Sequence, residues 1–274
     1  MKLQRRRTIE GDLVVGWLSF FDVWARLAPR KDKKIFIIGL PKTATTSAHF
    51  ALQKAGFKAE HFPYRLVNYH NGDLVLNRKD LDYHDVVSDL PVAASVETLV
   101  RLYPDAYFVY TNRDKQKWLD SCRRHPWPLE CILHADLARK VGRYSDSLVV
   151  FRALMNNIQK LKLLHEKVLG SSIFIPEVFS AHYDAYDQKI RRLFKGRRFI
   201  ELNIADGVDT KERLGEFLDL DMAGSFEHKD CFYTWFFKKL ADRAGWDRIL
   251  GIRREYRERY LARQSPPPLK SYAA

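Results

Sequence analysis

Cysteine is scarce in this chain of 274 residues, which holds only Cys122, Cys131 and Cys231. A count that is both odd and low argues against a disulfide framework and favours a reducing compartment. The three spacings fit no zinc motif, and no other cluster suggests metal ligands. The sequence therefore predicts a cytoplasmic protein without a metal site.

The chain also lacks a hydrophobic run long enough to cross a bilayer near its start. The apolar run 13–21 is far shorter than the ~20 residues that a membrane-spanning helix needs. Asp12 and Asp22 bracket this run and no small-residue cleavage site follows, which argues against a signal peptide. We predict that residues 1–30 form an amphipathic helix packed on the domain. Peripheral membrane contact through its basic and aromatic residues is the alternative.

Acidic residues are outnumbered by basic ones, 34 to 47, so that the formal net charge is +13. Such an excess favours an anionic partner: a nucleotide, a nucleic acid or an acidic membrane. The hydrophobic content of 46% is sufficient for a substantial core. The length suits one α/β domain, which we place at 31–264, before a proline-containing tail at 265–274.

One stretch combines a buried strand, a tight loop and a helix. Residues 35–38 form a continuous apolar run, typical of a strand buried on both faces of a parallel sheet. Gly39 and Pro41 end this strand, and the helical pattern after the loop ends at Gly56. In such an arrangement the N–H groups of the loop and the positive end of the helix dipole converge on an anion.

The side chains of this loop add further anion ligands. Lys42 supplies a full charge, and hydroxyl donors follow at Thr45, Thr46 and Ser47. The Walker pattern of nucleotide-triphosphate loops would need glycine at position 44 and lysine at position 45. The chain has Ala44 and Thr45 there, so this is not a standard loop of that class. An ordinary loop whose hydroxyls cap the helix remains the alternative.

Three further segments complete the expected sheet. Strands are predicted at 85–91, 106–111 and 198–203, with helical patterns between them, which indicates a parallel α/β sheet with right-handed crossovers. Ligands on such sheets bind at the carboxyl ends of the strands. The residues that this rule selects are Lys42, Asp89, Arg113 and Asn203.

The remaining pattern is mainly helical. A loop or short strand on the ligand side is predicted at 61–64. Helices are predicted at 72–83, 96–103, 114–124, 148–169, 177–194, 210–218 and 229–263, the last with a break near Gly245 or Gly251.

The loop resembles the one with which sulfotransferases hold the 5′-phosphosulfate end of 3′-phosphoadenosine 5′-phosphosulfate (PAPS). The family pattern P-K-[ST]-[GA]-T-T-[SW] is matched by Pro41, Lys42, Thr43, Ala44, Thr45, Thr46 and Ser47. Arg113 and Ser121 match the strand-end arginine, and the serine eight residues later, that bind the 3′-phosphate in that family. The resemblance covers roughly 33–220.

This resemblance implies a P-loop-type α/β fold, a parallel sheet flanked by helices, with a helical C-terminal elaboration. It also implies a PAPS-dependent sulfotransferase that sulfates a hydroxyl of a small-molecule, carbohydrate or lipid acceptor and releases the desulfated cofactor, PAP. Lys42 would neutralise charge on the leaving 5′-phosphate, and Asp89 resembles the aspartate base of a subset of the family. His84 and Asp85, at the other end of the same predicted strand, are rivals for the base.

Two departures from the family pattern limit the assignment. No R-K-G segment follows near the C-terminus, and Ser47 replaces the tryptophan that stacks on adenine in the animal cytosolic branch, so adenine contacts stay unassigned. A small-molecule kinase is one alternative function, although it would need the Walker lysine. A nucleic-acid-binding protein is another, using the C-terminal arginines Arg253, Arg254, Arg257, Arg259 and Arg263. The sequence assigns neither an acceptor nor an oligomeric state.

Overall fold

The fold is built on a five-stranded sheet. The computed structural model describes residues 32–62, 67–70, 73–127, 129–130, 158–227, 238, 241–242 and 245–264. The strands of the sheet are β1 (Ile35–Ile37), β2 (Ala59–His61), β5 (Val86–Ser88), β6 (Tyr107–Thr111) and β7 (Phe199–Leu202). A separate antiparallel pair consists of β3 (Val67–His70) and β4 (Asp73–Leu76).

Helices connect and cover these strands. In chain order they are α1 (Thr45–Lys54), α2 (Arg78–Tyr83), α3 (Leu90–Ala93), α4 (Val96–Leu102), α5 (Lys115–Arg123), α6 (Ile158–Leu169), α7 (Pro176–Leu193), α8 (Lys211–Leu218) and α9 (Trp246–Gln264).

The main sheet has the order β2-β5-β1-β6-β7, and every neighbouring pair in it is parallel. The parallel sheet predicted from the sequence is thus confirmed. β1 is central, with Ile35 in register with both Val86 and Tyr107. Because parallel strands present their carboxyl ends at one edge, the segments after β1, β5, β6 and β7 meet there.

The sheet is buried on both faces because β1 supplies apolar side chains to each. Phe36 and Ile38 belong to one hydrophobic cluster, which includes residues of α6 and α7. Ile35 and Ile37 belong to a second cluster, formed with residues of α1 and α8. All four of these side chains are fully buried, as expected of a central parallel strand.

One predicted helix differs from the structure, and the structure decides between two positions predicted for a helix break. The helix predicted at 72–83 is wrong in its first part, because Asp73–Leu76 pairs with Val67–His70 as a hairpin and only Arg78–Tyr83 is helical. Residues 74–76 are all apolar, and such a run can form a strand when a partner strand is available. A helix predicted from the local sequence alone does not take that partner into account. The break in the C-terminal helix falls at Gly245, whose φ is 85°, whereas Gly251 lies inside α9.

Some sequence predictions fall outside the described residues. These are the N-terminal amphipathic helix at 1–30, the tail at 265–274, the first part of the helix predicted at 148–169, and most of 229–244. The division of the chain into these units stays a prediction.

Helix α9 is anchored to the domain by a buried ion pair. The Arg253 guanidinium donates to both carboxylate oxygens of Glu130, at 2.8 and 2.7 Å, and its other N–H groups reach the carbonyls of Arg123 and His125. Glu130 also accepts from the backbone N–H groups of Phe174 and Trp127. The buried charges of Arg253 and Glu130 are therefore compensated by each other and by hydrogen bonds to backbone groups, as a buried ion pair requires.

Candidate active site

The loop after β1 adopts a backbone that is shaped for an anion. Lys42 and Ala44 both have left-handed conformations, with φ of 72° and 69°. Alternation between left- and right-handed residues turns successive N–H groups towards one point, which makes a concave anion-binding nest. Such values are uncommon for residues other than glycine, so the fold must hold them in place.

Neighbouring elements hold the loop rigidly. The Thr43 hydroxyl donates to the Leu40 carbonyl at 2.7 Å and lies 2.8 Å from the Thr111 hydroxyl at the end of β6. Trp118 on α5 donates its indole N–H to the Pro41 carbonyl at 2.8 Å. The buried Thr43 hydroxyl thus serves the fold, and the more open loop positions are left for a ligand.

Helix α1 begins directly after this loop without a side-chain cap. Its N-cap residue is Ala44, which makes no side-chain capping bond. The first N–H groups of a helix have no intrahelical partner, and here the cap residue cannot satisfy them. The alternative of a hydroxyl-capped helix start therefore fails. The positive end of α1 is available to an anion in the loop.

Asp89 lies at the same edge of the sheet, after β5. Its φ of 81° and ψ of −164° fall in a region that is essentially confined to glycine, at a cost of about 1–3 kcal/mol. Although it precedes α3, it makes no side-chain capping bond, so helix capping does not explain it. Its Oδ1 atom is buried and has no hydrogen-bond partner among the described residues. A strained carboxylate with an unused oxygen is typical of a functional position.

Asp89 is joined to the loop through His61, at the end of β2. His61 Nε2 lies 3.3 Å from Asp89 Oδ2 and 3.1 Å from the Thr46 hydroxyl. The other ring nitrogen of His61 lies 2.8 Å from the hydroxyl of Ser88. One imidazole therefore contacts both the strand-end carboxylate and the phosphate loop.

The rival base candidates lie at the opposite end of β5. His84 is buried, with Nδ1 2.9 Å from the Asp80 carbonyl and Nε2 3.1 Å from Glu60 Oε2. Asp85 is also buried and accepts from the backbone N–H of Lys58 at 2.9 Å. Both side chains support the amino end of the sheet and do not reach the loop edge.

Arg113 lies after β6 and is held by Asp206. Its Nε donates to Asp206 Oδ1 at 3.2 Å, while Asp206 Oδ2 accepts from the backbone N–H of Asp114 at 3.1 Å. Burial alone would raise the pKa of Asp206, but the Asp114 N–H, the Asn203 amide and the Arg113 charge together lower it. Asp206 is therefore a carboxylate that fixes one edge of the guanidinium and leaves the other N–H groups for a ligand.

Helix α5 continues from Arg113, and its N-terminus is capped by Asp114, which accepts from the Lys117 N–H at 2.9 Å. Ser121 lies in the second turn of this helix and is partly exposed. The adjacent thiol of Cys122 is buried, which raises its pKa, although the charges of Lys42, Arg253 and Arg113 oppose that shift. The charges of Lys42 and Arg113 thus both reach Cys122, the residue that follows Ser121 in α5.

Within the described part of the chain, no group of His, Cys, Asp or Glu side chains has the arrangement of a metal site. In the same residues, no helix combines the length and apolarity that a bilayer crossing requires.

Comparison with known proteins agrees with this geometry. The family model of the sulfotransferase domain matches residues 34–230, which include the loop, Asp89, Arg113 and Asp206. The chain belongs to the sulfotransferase family. This sulfotransferase is also similar to a protein of Aspergillus versicolor named Ava biosynthesis cluster protein M. The two are 31% identical over 215 residues, which cover 68% of the present chain and 76% of that relative.

Two residues of this sulfotransferase site did not follow from sequence reasoning. The segment at 61–64 is predicted to lie on the ligand side, but no motif singles out His61 as a partner of Asp89. Asp206 lies in the segment after β7, and its contact with Arg113 spans 93 positions along the chain. Contacts between residues so far apart in the chain depend on the order of the strands in the sheet, which the pattern of the local sequence does not reveal.

Proposed function

We propose that this sulfotransferase uses PAPS and transfers its sulfuryl group to the hydroxyl of a small-molecule, carbohydrate or lipid acceptor. The observation that carries this proposal is the convergence of the left-handed lysine loop and the buried, unpartnered Asp89 oxygen at one edge of the sheet. The loop suits the leaving phosphate, and the carboxylate suits a base for the acceptor hydroxyl.

The donor set fits a ligand that carries anionic groups at two places. The loop offers backbone N–H groups, the Lys42 charge and the Thr45 and Ser47 side chains. Arg113 and Ser121, on the next strand and helix, offer a second anion site. The residues that would hold the cofactor are Pro41, Lys42, Thr43, Ala44, Thr45, Thr46, Ser47, Arg113 and Ser121.

The chain's own residues divide the chemistry between them. PAPS supplies the sulfuryl group and a phosphate leaving group. Lys42 and the loop N–H groups stabilise the charge that develops on the leaving oxygen. Asp89 Oδ1 takes the proton of the acceptor hydroxyl. These roles require no metal ion.

The relative and the ion pairs of α9 both bear on the partners of this protein. The name of the Aspergillus relative ties that protein to a biosynthesis cluster, which favours a small-molecule acceptor for this chain as well. In α9, Arg253, Arg257 and Arg259 are engaged with Glu130, Glu177 and Glu255, which disfavours a nucleic-acid surface there. A cytoplasmic location completes the proposal, with residues 1–30 packed on the domain and peripheral membrane contact as the alternative.

Binding of the donor is tested with PAP by calorimetry and thermal shift. PAP should raise the melting temperature without magnesium, and ATP should do so much less, because the two anion sites match a ligand phosphorylated at both ribose ends. Arg113→Ala should weaken PAP binding by about ten- to a hundredfold, the worth of a charge-assisted contact.

The control for this experiment is Arg78→Ala. Arg78 is exposed and its ion pair with Asp82 lies within α2, before the amino end of β5, so PAP affinity should not change. Equal, magnesium-dependent stabilisation by ATP would support the kinase alternative instead. An unaltered PAP affinity in Arg113→Ala would remove this residue from the site.

The chemistry is tested by Asp89→Asn and Lys42→Ala, assayed with radiolabelled PAPS and a mixed pool of phenols, sugars and lipids. Asp89→Asn removes the base but keeps the side-chain size, so turnover should fall by about a hundred- to ten-thousandfold while PAP affinity stays near wild type. Lys42→Ala should impair both, since Lys42 contacts phosphate in the ground and transition states. Full turnover by Asp89→Asn on any acceptor would place the base elsewhere, and His61 would be examined next.

A further inference from the structure

Behind Asp89, polar side chains form a chain of contacts into the interior. His61 Nε2 lies 3.3 Å from Asp89 Oδ2, and His61 Nδ1 lies 2.8 Å from Ser88 Oγ. Ser88 Oγ in turn lies 3.3 Å from Nδ1 of His49, on α1. The side chains of His61 and Asp89 are only 11% and 13% exposed, so this is not a solvated surface pair.

The direction of these hydrogen bonds follows from the donors available. An ionised carboxylate can only accept, so the His61 nitrogen that faces Asp89 carries the proton. In the neutral form of His61, the other nitrogen accepts from the Ser88 hydroxyl at 2.8 Å, which is closer than the alternative acceptor, the Glu60 carbonyl at 3.4 Å. The Ser88 oxygen then accepts from His49. Burial lowers the pKa of His49 well below its ordinary value, so His49 is neutral and carries one N–H. With one N–H on His49 and one on His61, each contact from His49 through Ser88 and His61 to Asp89 pairs a hydrogen-bond donor with an acceptor.

We propose that His61 is a positioning residue for the base: its Nε2–H holds Asp89 Oδ2 and thereby leaves Oδ1 directed at the acceptor hydroxyl. This inference rests on the proposed role of Asp89. The left-handed backbone of Asp89 and the His61 contact restrain the carboxylate from two sides. A base that is fixed before the acceptor arrives spends no free energy on orientation during the reaction.

The same ring also sets the distance between the base and the donor loop. His61 Nε2 lies 3.1 Å from the Thr46 hydroxyl, which belongs to the first turn of α1. The imidazole therefore lies between the part of the site assigned to the leaving phosphate and the part assigned to the proton.

The hydrogen-bond arrangement is tested by ¹H–¹⁵N NMR of the histidine rings, which needs neither donor nor acceptor. Of the nine histidines in the chain, the one whose signals vanish in His61→Asn should be protonated at Nε2 and bare at Nδ1. Asp89→Asn should shift its Nε2 signal. A His61 protonated at Nδ1 and unaffected by Asp89→Asn would overturn the proposal.

The kinetic test is a double-mutant cycle with a rescue. Asparagine places its amide near Nδ1 and glutamine near Nε2, so only His61→Gln keeps a donor for Asp89. His61→Asn should lower kcat by about ten- to a hundredfold with little change in KM for PAPS, the worth of a charge-assisted hydrogen bond. His61→Gln should recover most of that loss. The double variant Asp89→Asn/His61→Asn should be no slower than Asp89→Asn alone.

The matched control is His84→Asn. His84 is a buried histidine beside the other end of β5, and its Nε2 also faces a carboxylate, Glu60 Oε2, at 3.1 Å. A general loss of stability would affect both histidine variants alike, whereas positioning of the base predicts a kcat effect for His61 alone.

The two proposals fail in different ways. If Asp89→Asn lowers kcat but His61→Asn leaves kcat unchanged, or if the two losses add in full, the positioning role is wrong and Asp89 remains the base. If Asp89→Asn is fully active, the proposed base is wrong, and the positioning role fails with it whatever the NMR shows.

Discussion

At the scale of single residues, Gly39 shows how closely the loop is packed against its neighbour. A Cβ at this position would lie 1.9 Å from the Thr111 hydroxyl oxygen and 2.5 Å from the Thr111 carbonyl oxygen. The second of these atoms belongs to the backbone of β6 and cannot rotate away. Glycine is therefore required here by space, and any larger residue would displace the loop that carries Lys42.

Gly39→Ala is expected to destabilise the protein by about 1–3 kcal/mol or more, the range for overpacking against a rigid neighbour, and to weaken PAP binding. Gly251→Ala is the matched control, because a Cβ there meets nothing within 4 Å and the residue lies inside α9. Alanine in that helix should stabilise by about 0.5–1 kcal/mol. Urea denaturation of both variants measures this difference, and equal effects of the two substitutions would contradict it.

At the scale of helices and strands, the sequence predicts the elements with strong local patterns. β1, β6 and β7 are short runs rich in β-branched or aromatic residues, and α5, α7 and α8 have clear apolar spacing, so each is found close to its predicted place. The helix of 72–83 was predicted wrongly in part because a hairpin depends on a partner strand. β2 likewise lacks a clear local strand pattern, because two of its three residues, Glu60 and His61, are polar.

The residues of the candidate site also fall into two groups: those that the local sequence indicates and those whose contacts depend on the folded sheet. The loop at 41–47, Asp89 and Arg113 can be found from the sequence because each directly follows a predictable strand. His61 and Asp206 contact Asp89 and Arg113, and these pairings are set by the order β2-β5-β1-β6-β7. That order is a property of the folded sheet, which no local pattern contains.

At the scale of the whole molecule, α9 lies beyond the family match, which ends at residue 230, and contacts the matched region through the Arg253–Glu130 ion pair. Arg253→Met should destabilise the protein by about 3–5 kcal/mol, because it leaves the Glu130 carboxylate buried without its partner. Arg257→Met removes an arginine from the same helix, but its ion pair with Glu177 is exposed, so stability should change little.

Urea unfolding of these two variants and of Glu130→Leu/Arg253→Met is the measurement. The double variant should be more stable than Arg253→Met, since it removes the stranded charge. If the two single arginine variants unfold at the same urea concentration, the buried pair does not anchor α9.

The same ion pair has a consequence for how the protein is made. Glu130 and Arg253 are 123 positions apart in the chain, so at about 5–20 residues per second the ribosome adds Arg253 roughly 6–25 s after Glu130. Four of the five strands and the phosphate loop precede Glu130, and β7 is added within this interval, yet the Glu130 carboxylate has no counter-charge until Arg253 is in place. The nascent chain is therefore expected to stay open around Glu130 until α9 has left the ribosome, and a protease or chaperone would meet it in that state.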